Sequence, residues 1–342
     1  MDFGLSFLPD ANYRTKTPEL YFNDILDICE RGEELGYKYC KMTEHYLSSY
    51  GGYCPDPLTF LAAVSQRTSK MRLMTGCIIP AFHNPIEIAA KAAMLDCISG
   101  GRADIGLARG YMPYEFQSFG IDIETSRARF EETIEAIRLL WSGNTCSYSG
   151  EFFKFKDVTS YPLPYQSNTI PLWGAAVKSR ETFAWLAENQ LNLLIGLADI
   201  ASMARNVEIY LSTISSDFKP KVFLSAPVLL RNSYEKAMRD ARKNLSKYLN
   251  TWVSAAESWS YVYAPSYKSY HKMAEGLKTG GVDYLINGSI IGTSETFMER
   301  IDFIQEKIAI DGLLMQIDTG SASFSSMEET IELASSSIKR GE

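Results

Sequence analysis

The chain holds only three histidines in 342 residues, and its six cysteines are scattered without a CxxC pair. A structural zinc site needs clustered thiolates and imidazoles. Five of Cys29, Cys40, Cys54, Cys77, Cys97 and Cys146 therefore read simply as free, mostly buried thiols of a reducing compartment, and no metal is expected. No apolar run reaches the ~20 residues a bilayer requires. The opening MDFGLSFLPD lacks a basic segment ahead of an apolar one, so the expectation is a cytoplasmic protein without a membrane anchor. A basic surplus is missing too. The net charge of -7 matches neither nucleic acid nor an anionic lipid surface, and small-molecule chemistry is the better reading. Tandem repeats and low-complexity tracts do not stand out.

What is present is an ordered alternation. A hydrophobic share of 46% supplies a large core, which excludes a disordered chain. Apolar runs at 2–8, 37–43, 71–79, 102–108, 170–176, 191–197, 221–230 and 312–318 read as short buried strands. Helical spacing appears at 18–36, 57–68, 85–98, 126–141, 180–188, 200–212, 234–252, 293–309 and 327–338. Pro18 early and Gly36 late fit the start and stop of the first helix. Residues 282–287 read as a weak strand or a connection. Strand-then-helix repetition implies a parallel sheet, and about eight such units without a linker predict one closed (β/α)8 TIM barrel of the α/β class over residues 1–342. Two stretches interrupt it. Residues 142–166, with Tyr148, Phe152, Phe153, Phe155, Pro162 and Pro164, predict a small hairpin insertion and a rigid connection. Residues 252–271, WVSAAESWSYVYAPSYKSYH, predict an aromatic-rich loop above the barrel.

In such a barrel, chemistry gathers at the C-terminal ends of the strands and in the loops that follow. That rule selects Glu44, His45 and Tyr46 after the second strand, and Gly76 and Cys77 near the end of the third. It also selects Arg109, Gly110 and Tyr111 after the fourth, and Ala176, Val177, Lys178 and Ser179 at the end of the fifth. His45 is either an acid, base or hydrogen-bond donor to a reacting oxygen, or a histidine satisfied by backbone partners. The fork of Arg109 either grips an anion or pairs with Glu115. At 176–179 a strand end meets a helix start, where free amides and the positive end of the dipole suit a phosphate. One phosphate gripped from two strands accounts for both features.

The runs TEHYLSSYGG (43–52), MRLMTGCIIPAFHNPIEIAAKAAMLDCISGGRADIGLARGYMPYEFQSFGID (71–122), SRARFEETIEAIRLLWSG (126–143) and IPLWGAAVKSRETFAWLAE (170–188) together resemble the bacterial luciferase-like flavin-dependent monooxygenases. LDCISGGRADIGLARG followed by E-F-x-x-FG is long and specific. The resemblance implies that His45 is the catalytic histidine, Arg109 the phosphate-binding arginine, and Val177, Lys178 and Ser179 the backbone phosphate site. It implies that Gly76 and Cys77 support the flavin ring through a non-proline cis peptide. Glu44 and Ala176 join the cofactor-binding set, and Tyr46, Tyr111, Trp252 and Trp259 are candidates for the substrate pocket. The implied chemistry is a two-component one. Reduced FMN arrives from a separate NAD(P)H-dependent reductase and reacts with dioxygen to a flavin peroxide, which oxygenates an aldehyde, acyl or natural-product-type substrate of secondary metabolism.

The sequence also departs from relatives. Tyr46 stands where many have a second histidine, Ala108 where luciferase has a reactive cysteine, and Leu197 near the place of a tryptophan beside the luciferase flavin. These changes weaken any claim to light emission. The alternatives are a deazaflavin-dependent oxidoreductase of the same fold and a catalytically silent flavin-binding partner subunit. The helix at 126–141 is a candidate interface for a homodimer or a luciferase-like heterodimer.

Overall fold

The computed structural model describes residues 1–167, 169–196, 199–215 and 217–341, with side chains 269–271, 273, 274, 277, 278 and 341 left aside; Leu197 lies outside the described residues. Four short apolar stretches, β1 (Asp2–Phe7), β2 (Tyr39–Met42), β3 (Arg72–Thr75) and β4 (Ala103–Leu107), lie side by side and parallel. Between them run α1 (Pro18–Leu35), α2 (Pro57–Arg67) and α3 (Pro85–Ser99). Each of these helices opens on a capping side chain followed by proline: Thr17, Asp56 and Asn84 accept amides of the first turn. Such a cap is worth about 1 kcal/mol. Gly36 closes α1 in the left-handed conformation with φ 101°, which a side chain would resist.

After β4 come α4 (Pro113–Ser118), α5 (Ser126–Leu140) and an antiparallel hairpin of β5 (Cys146–Ser149) with β6 (Lys154–Val158). The hairpin is the insertion expected at 142–166. The barrel resumes with β7 (Leu172–Ala176), α6 (Arg180–Glu188), β8 (Asn192–Gly196), α7 (Ile200–Thr213), β9 (Val222–Leu230) and α8 (Tyr234–Ala256). It ends with α9 (Lys268–Asn287), β10 (Ile290–Gly292), α10 (Ser294–Gln305), β11 (Gly312–Gln316) and α11 (Phe324–Gly341). Strand β8 pairs with β9, β9 with β11, and β11 with β1, so eight parallel strands close on themselves. This is the expected (β/α)8 TIM barrel. The ninth parallel strand, β10, pairs with the upper half of β9.

Two expectations about the chain between 252 and 287 fail. The stretch 252–271 is mostly helical: α8 runs on to Ala256, two 3₁₀ turns follow, and α9 begins at Lys268. Residues 282–287 are neither strand nor connection but the last turns of α9, beyond a break at Gly281. Val282, Leu285 and Ile286 are spaced for one helix face, and six residues are too few to separate that pattern from a strand.

The barrel interior is packed rather than open. Tyr39, Met74, Trp173, Leu194, Phe223 and Leu314 fill it. Near its N-terminal end Asp104 accepts from Arg72 Nε at 2.5 Å and from Trp173 Nε1 at 2.8 Å. Burial nevertheless pushes the Asp104 carboxyl up to about 6. Above this plug, at the C-terminal ends of the strands, the interior opens.

Candidate active site

A cavity of about 350 Å³ occupies that end. It is bordered by residues from β2, β3, β4, β7, β8, β9 and the segments after them, and by Tyr267 from the last 3₁₀ turn before α9. Its volume falls in the usual range for small-molecule sites, roughly 300 to 1,000 Å³.

One side of the cavity is built for an anion. Arg109 Nη2 donates to Ser126 Oγ at 3.2 Å, and its guanidinium lies 5.0 Å from the ring centroid of Tyr267. Its Nε is buried without a partner. The alternative pairing with Glu115 does not form; among the described residues, no carboxylate lies in ion-pair reach of Arg109. Tyr267 braces the arrangement, its hydroxyl 2.7 Å from Ser126 Oγ and donating to the Gly110 carbonyl at 2.9 Å. Ala176, Val177, Lys178 and Ser179 border the same cavity. Ser179 is the N-cap of α6 and accepts from the Thr182 amide, so the positive end of the helix dipole faces the cavity. A half-buried guanidinium without a carboxylate partner, beside a helix start, fits a phosphate monoester such as that of FMN.

A second side carries the imidazole. His45 Nδ1 lies 3.0 Å from Glu115 Oε1, and the Tyr46 amide donates to the same oxygen at 2.8 Å. A nitrogen facing a carboxylate carries the proton, which leaves Nε2 as the nitrogen available to a ligand. The partner of His45 is thus a side chain and not the backbone alone. Glu115 is fully buried on α4, and its Oε2 has no partner. Gly51, at φ +74°, lets the segment after β2 fold over the imidazole: a Cβ there would lie 2.7 Å from the His45 Cβ. The His45 ring packs against Tyr50, with centroids 4.9 Å apart, and Tyr50 Oη lies 2.8 Å from Tyr111 Oη and 3.4 Å from Tyr248 Oη.

A second carboxylate–imidazole pair supports the first from behind. Glu44 Oε1 lies 2.9 Å from His83 Nε2, and the Ile79 amide donates to Glu44 Oε2 at 3.2 Å. Burial pushes the Glu44 carboxyl up, with His83 acting against it. Burial also opposes a charge on His83, but the bond to Glu44 outweighs it and holds the imidazole above its ordinary value. Glu44 thus borders the cavity while both its oxygens are already engaged.

The third side is the floor. The peptide between Gly76 and Cys77 is cis, as the resemblance implies. A Cβ on Gly76 would overlap the Lys41 side chain, so glycine leaves the space that the Lys41 stem occupies. Burial pushes the Cys77 thiol up to about 12, despite the nearby Lys41, so the side chain packs as a neutral group. Thr75 completes the turn, its Oγ donating to the Gly106 carbonyl and accepting from the Gly106 amide.

Of the residues singled out from sequence, Glu44, His45, Gly76, Cys77, Arg109, Tyr111 and 176–179 come together around this one cavity. Tyr46, Trp252 and Trp259 stand outside its lining. Tyr46 Oη lies 3.4 Å from His83 Nε2, and both tryptophans are buried in the apolar cluster that packs behind Tyr111 and Tyr248. Lys41, Tyr50, Ser126, Tyr248, Tyr267 and Gln316 were not foreseen as site residues. A strict alternation count along 37–43 places Lys41 inward with Tyr39; the others gave no local signal.

A closed parallel barrel with an anion grip and a carboxylate-held histidine on one strand-end cavity defines a cofactor-dependent barrel enzyme. The family model described as luciferase-like monooxygenase matches residues 1–309, and the chain belongs to that family, among the flavin-dependent monooxygenases. It is 25% identical over 321 residues to the oxygenase component of a flavin-dependent trigonelline monooxygenase of Acinetobacter baylyi, an alignment covering 89% of this chain and 86% of the relative. It is 28% identical over 172 residues to an F420-dependent glucose-6-phosphate dehydrogenase of Amycolatopsis mediterranei, covering 48% of this chain and 51% of that one. Among solved structures, the monooxygenase RslO1 from Streptomyces bottropensis superposes with a TM-score of 0.85 at 27% identity, over 100% of this chain and 99% of that one. Among the described residues, no helix is long and apolar enough to cross a membrane.

Proposed function

We propose that this chain is the oxygenase of a two-component system: it takes reduced FMN from a separate NAD(P)H-dependent reductase and uses it with dioxygen to oxygenate a small organic substrate of the aldehyde, acyl or natural-product type. The observation that carries the reading is the half-buried, carboxylate-free Arg109, its Nε without a partner, facing the same cavity as His45. The overall balance is one oxygen atom into the substrate and one into water, with two electrons from the flavin. Reduced flavin, when bound, supplies those electrons to dioxygen.

The protein's own part is binding, orientation and proton handling. Arg109 and the turn of Ala176, Val177, Lys178 and Ser179 hold the phosphate. Gly76, Cys77 and Glu44 shape the wall against which the ring rests. His45, held by Glu115, presents Nε2 to an oxygen on which negative charge develops. Tyr50, Tyr111 and Tyr248 line the cavity beside it, and their linked hydroxyls offer donors and acceptors to a polar group of the substrate.

Anaerobic fluorescence titration tests the cofactor. The expected result is saturable binding of reduced FMN, weakened at least about tenfold in Arg109→Ala, the loss of a charge-assisted pair. Oxygen uptake with a responsive substrate is expected to fall about 10² to 10⁴-fold in His45→Ala while FMN binding persists. Tight binding of F420 with hydride transfer and no oxygen uptake would overturn the proposal in favour of the deazaflavin enzyme. Flavin binding without turnover on any substrate tried would favour the silent partner.

A further inference from the structure

We infer that Lys41 sets the charge state of the bound flavin: its ammonium, in the floor of the cavity, holds the reduced cofactor as the N1 anion and makes the site prefer reduced over oxidised FMN. The inference rests on the reading that this cavity takes FMN. Lys41 lies on β2 and turns into the barrel, where its Nζ donates to Ser6 Oγ at 3.1 Å and to Ser225 Oγ at 3.3 Å. Among the described residues, no carboxylate stands within ion-pair distance of it. Two neutral hydroxyls satisfy hydrogen bonds but leave the charge itself without a counter-ion, and an ammonium has three donors.

Its surroundings point the same way. Gln316 sits opposite Ser6 in the β1–β11 register, borders the same cavity, and has a buried Nε2 with no acceptor. The floor thus offers an ammonium and an amide N–H and lacks a compensating anion, the complement of an electron-rich ring edge with carbonyl oxygens. The Lys41 stem lies against Gly76, beside the Gly76–Cys77 segment. Burial is the largest influence on Lys41 and lowers its pKa; Cys77 and Asp318 act the other way. An anion in the cavity would add to their effect.

The chemical consequence is a change in proton count. Reduction of FMN at a neutral site takes up two electrons and two protons; beside a fixed cation it takes up two electrons and one, and N1 stays unprotonated. Two measurements on the purified protein test this. The first compares dissociation constants of oxidised and reduced FMN, determined anaerobically, in wild type, Lys41→Met and Lys41→Arg. The preference for the reduced form is expected to drop about tenfold or more in the methionine variant, equivalent to about 30 mV for a two-electron couple, and to be largely kept in the arginine variant. The second follows the absorbance of wild-type-bound reduced FMN as the pH is lowered from neutrality, beside free reduced FMN under the same conditions. Bound flavin is expected to stay anionic throughout.

An unchanged preference in Lys41→Met, or bound flavin that titrates as free flavin does, would overturn the inference. The titration uses the unmutated chain, so a methionine variant that does not fold leaves the test intact. Wild type that binds neither redox state of FMN would instead sink the proposed function.

Discussion

His45 owes its orientation to one oxygen of Glu115, which also accepts the Tyr46 amide. Replacing Glu115 with Gln keeps the shape but offers the imidazole a neutral amide in place of a carboxylate. We expect Glu115→Gln to retain reduced-FMN affinity within about twofold while lowering kcat about 10² to 10³-fold. A loss of FMN affinity as large as the loss of kcat would mean that Glu115 only maintains the shape of the site. Asp318, just beyond β11, makes a different prediction. Its Oδ2 accepts the Leu8 amide at 2.9 Å and the Tyr21 hydroxyl at 2.7 Å, but its Oδ1 has no partner, and burial raises its pKa to about 7. A carboxyl raised from about 4 in the unfolded chain binds more protons when folded, so its contribution is complete below about pH 4 and lost as pH rises through 7. Asp318→Asn should therefore gain on wild type in urea unfolding between pH 4.5 and 8, by up to about 4 kcal/mol at the upper end. No relative gain would mean that the carboxyl is already ionised when buried.

At the scale of elements, α6 couples stability to ligand binding through Ser179. Its hydroxyl caps the helix, and the same turn borders the cavity. Ser179→Ala is expected to cost about 1 kcal/mol in stability and to weaken FMN several-fold while leaving riboflavin, which lacks the phosphate, unchanged. Equal losses for both ligands would place the phosphate elsewhere. Elements were also the scale at which sequence was most legible. The barrel strands are short, largely apolar runs, and α1, α2 and α3 each announce themselves with a cap and a proline. The misreadings share a cause. Residues 252–271 are rich in tyrosine and tryptophan, which suit a loop or a strand as well as a helix, and they pack on Phe116 of α4 and on Met112 and Ile123 beside it. The Arg109–Glu115 alternative failed because Pro113 starts α4 at once, and that short helix carries Glu115 under His45 instead. Strand-end position revealed His45 and Arg109; it could not reveal Tyr248 or Tyr267, which reach the cavity from far along the chain.

For the whole molecule, closure of the sheet between β8 and β9 and between β1 and β11 ties the first residues to the last. Residues 1–342 are therefore expected to unfold as one domain: circular dichroism and tryptophan fluorescence should trace a single coincident transition in urea. Two separated transitions would mean that part of the chain folds apart from the barrel. The packed plug beneath the site has a further effect on traffic. Met74, Trp173, Leu194, Phe223 and Leu314 fill the barrel beneath the site, so among the described residues the cavity does not continue through to the N-terminal ends of the strands. A ligand on its floor therefore comes and goes by the strand-end face, past whatever occupies the upper part of the cavity.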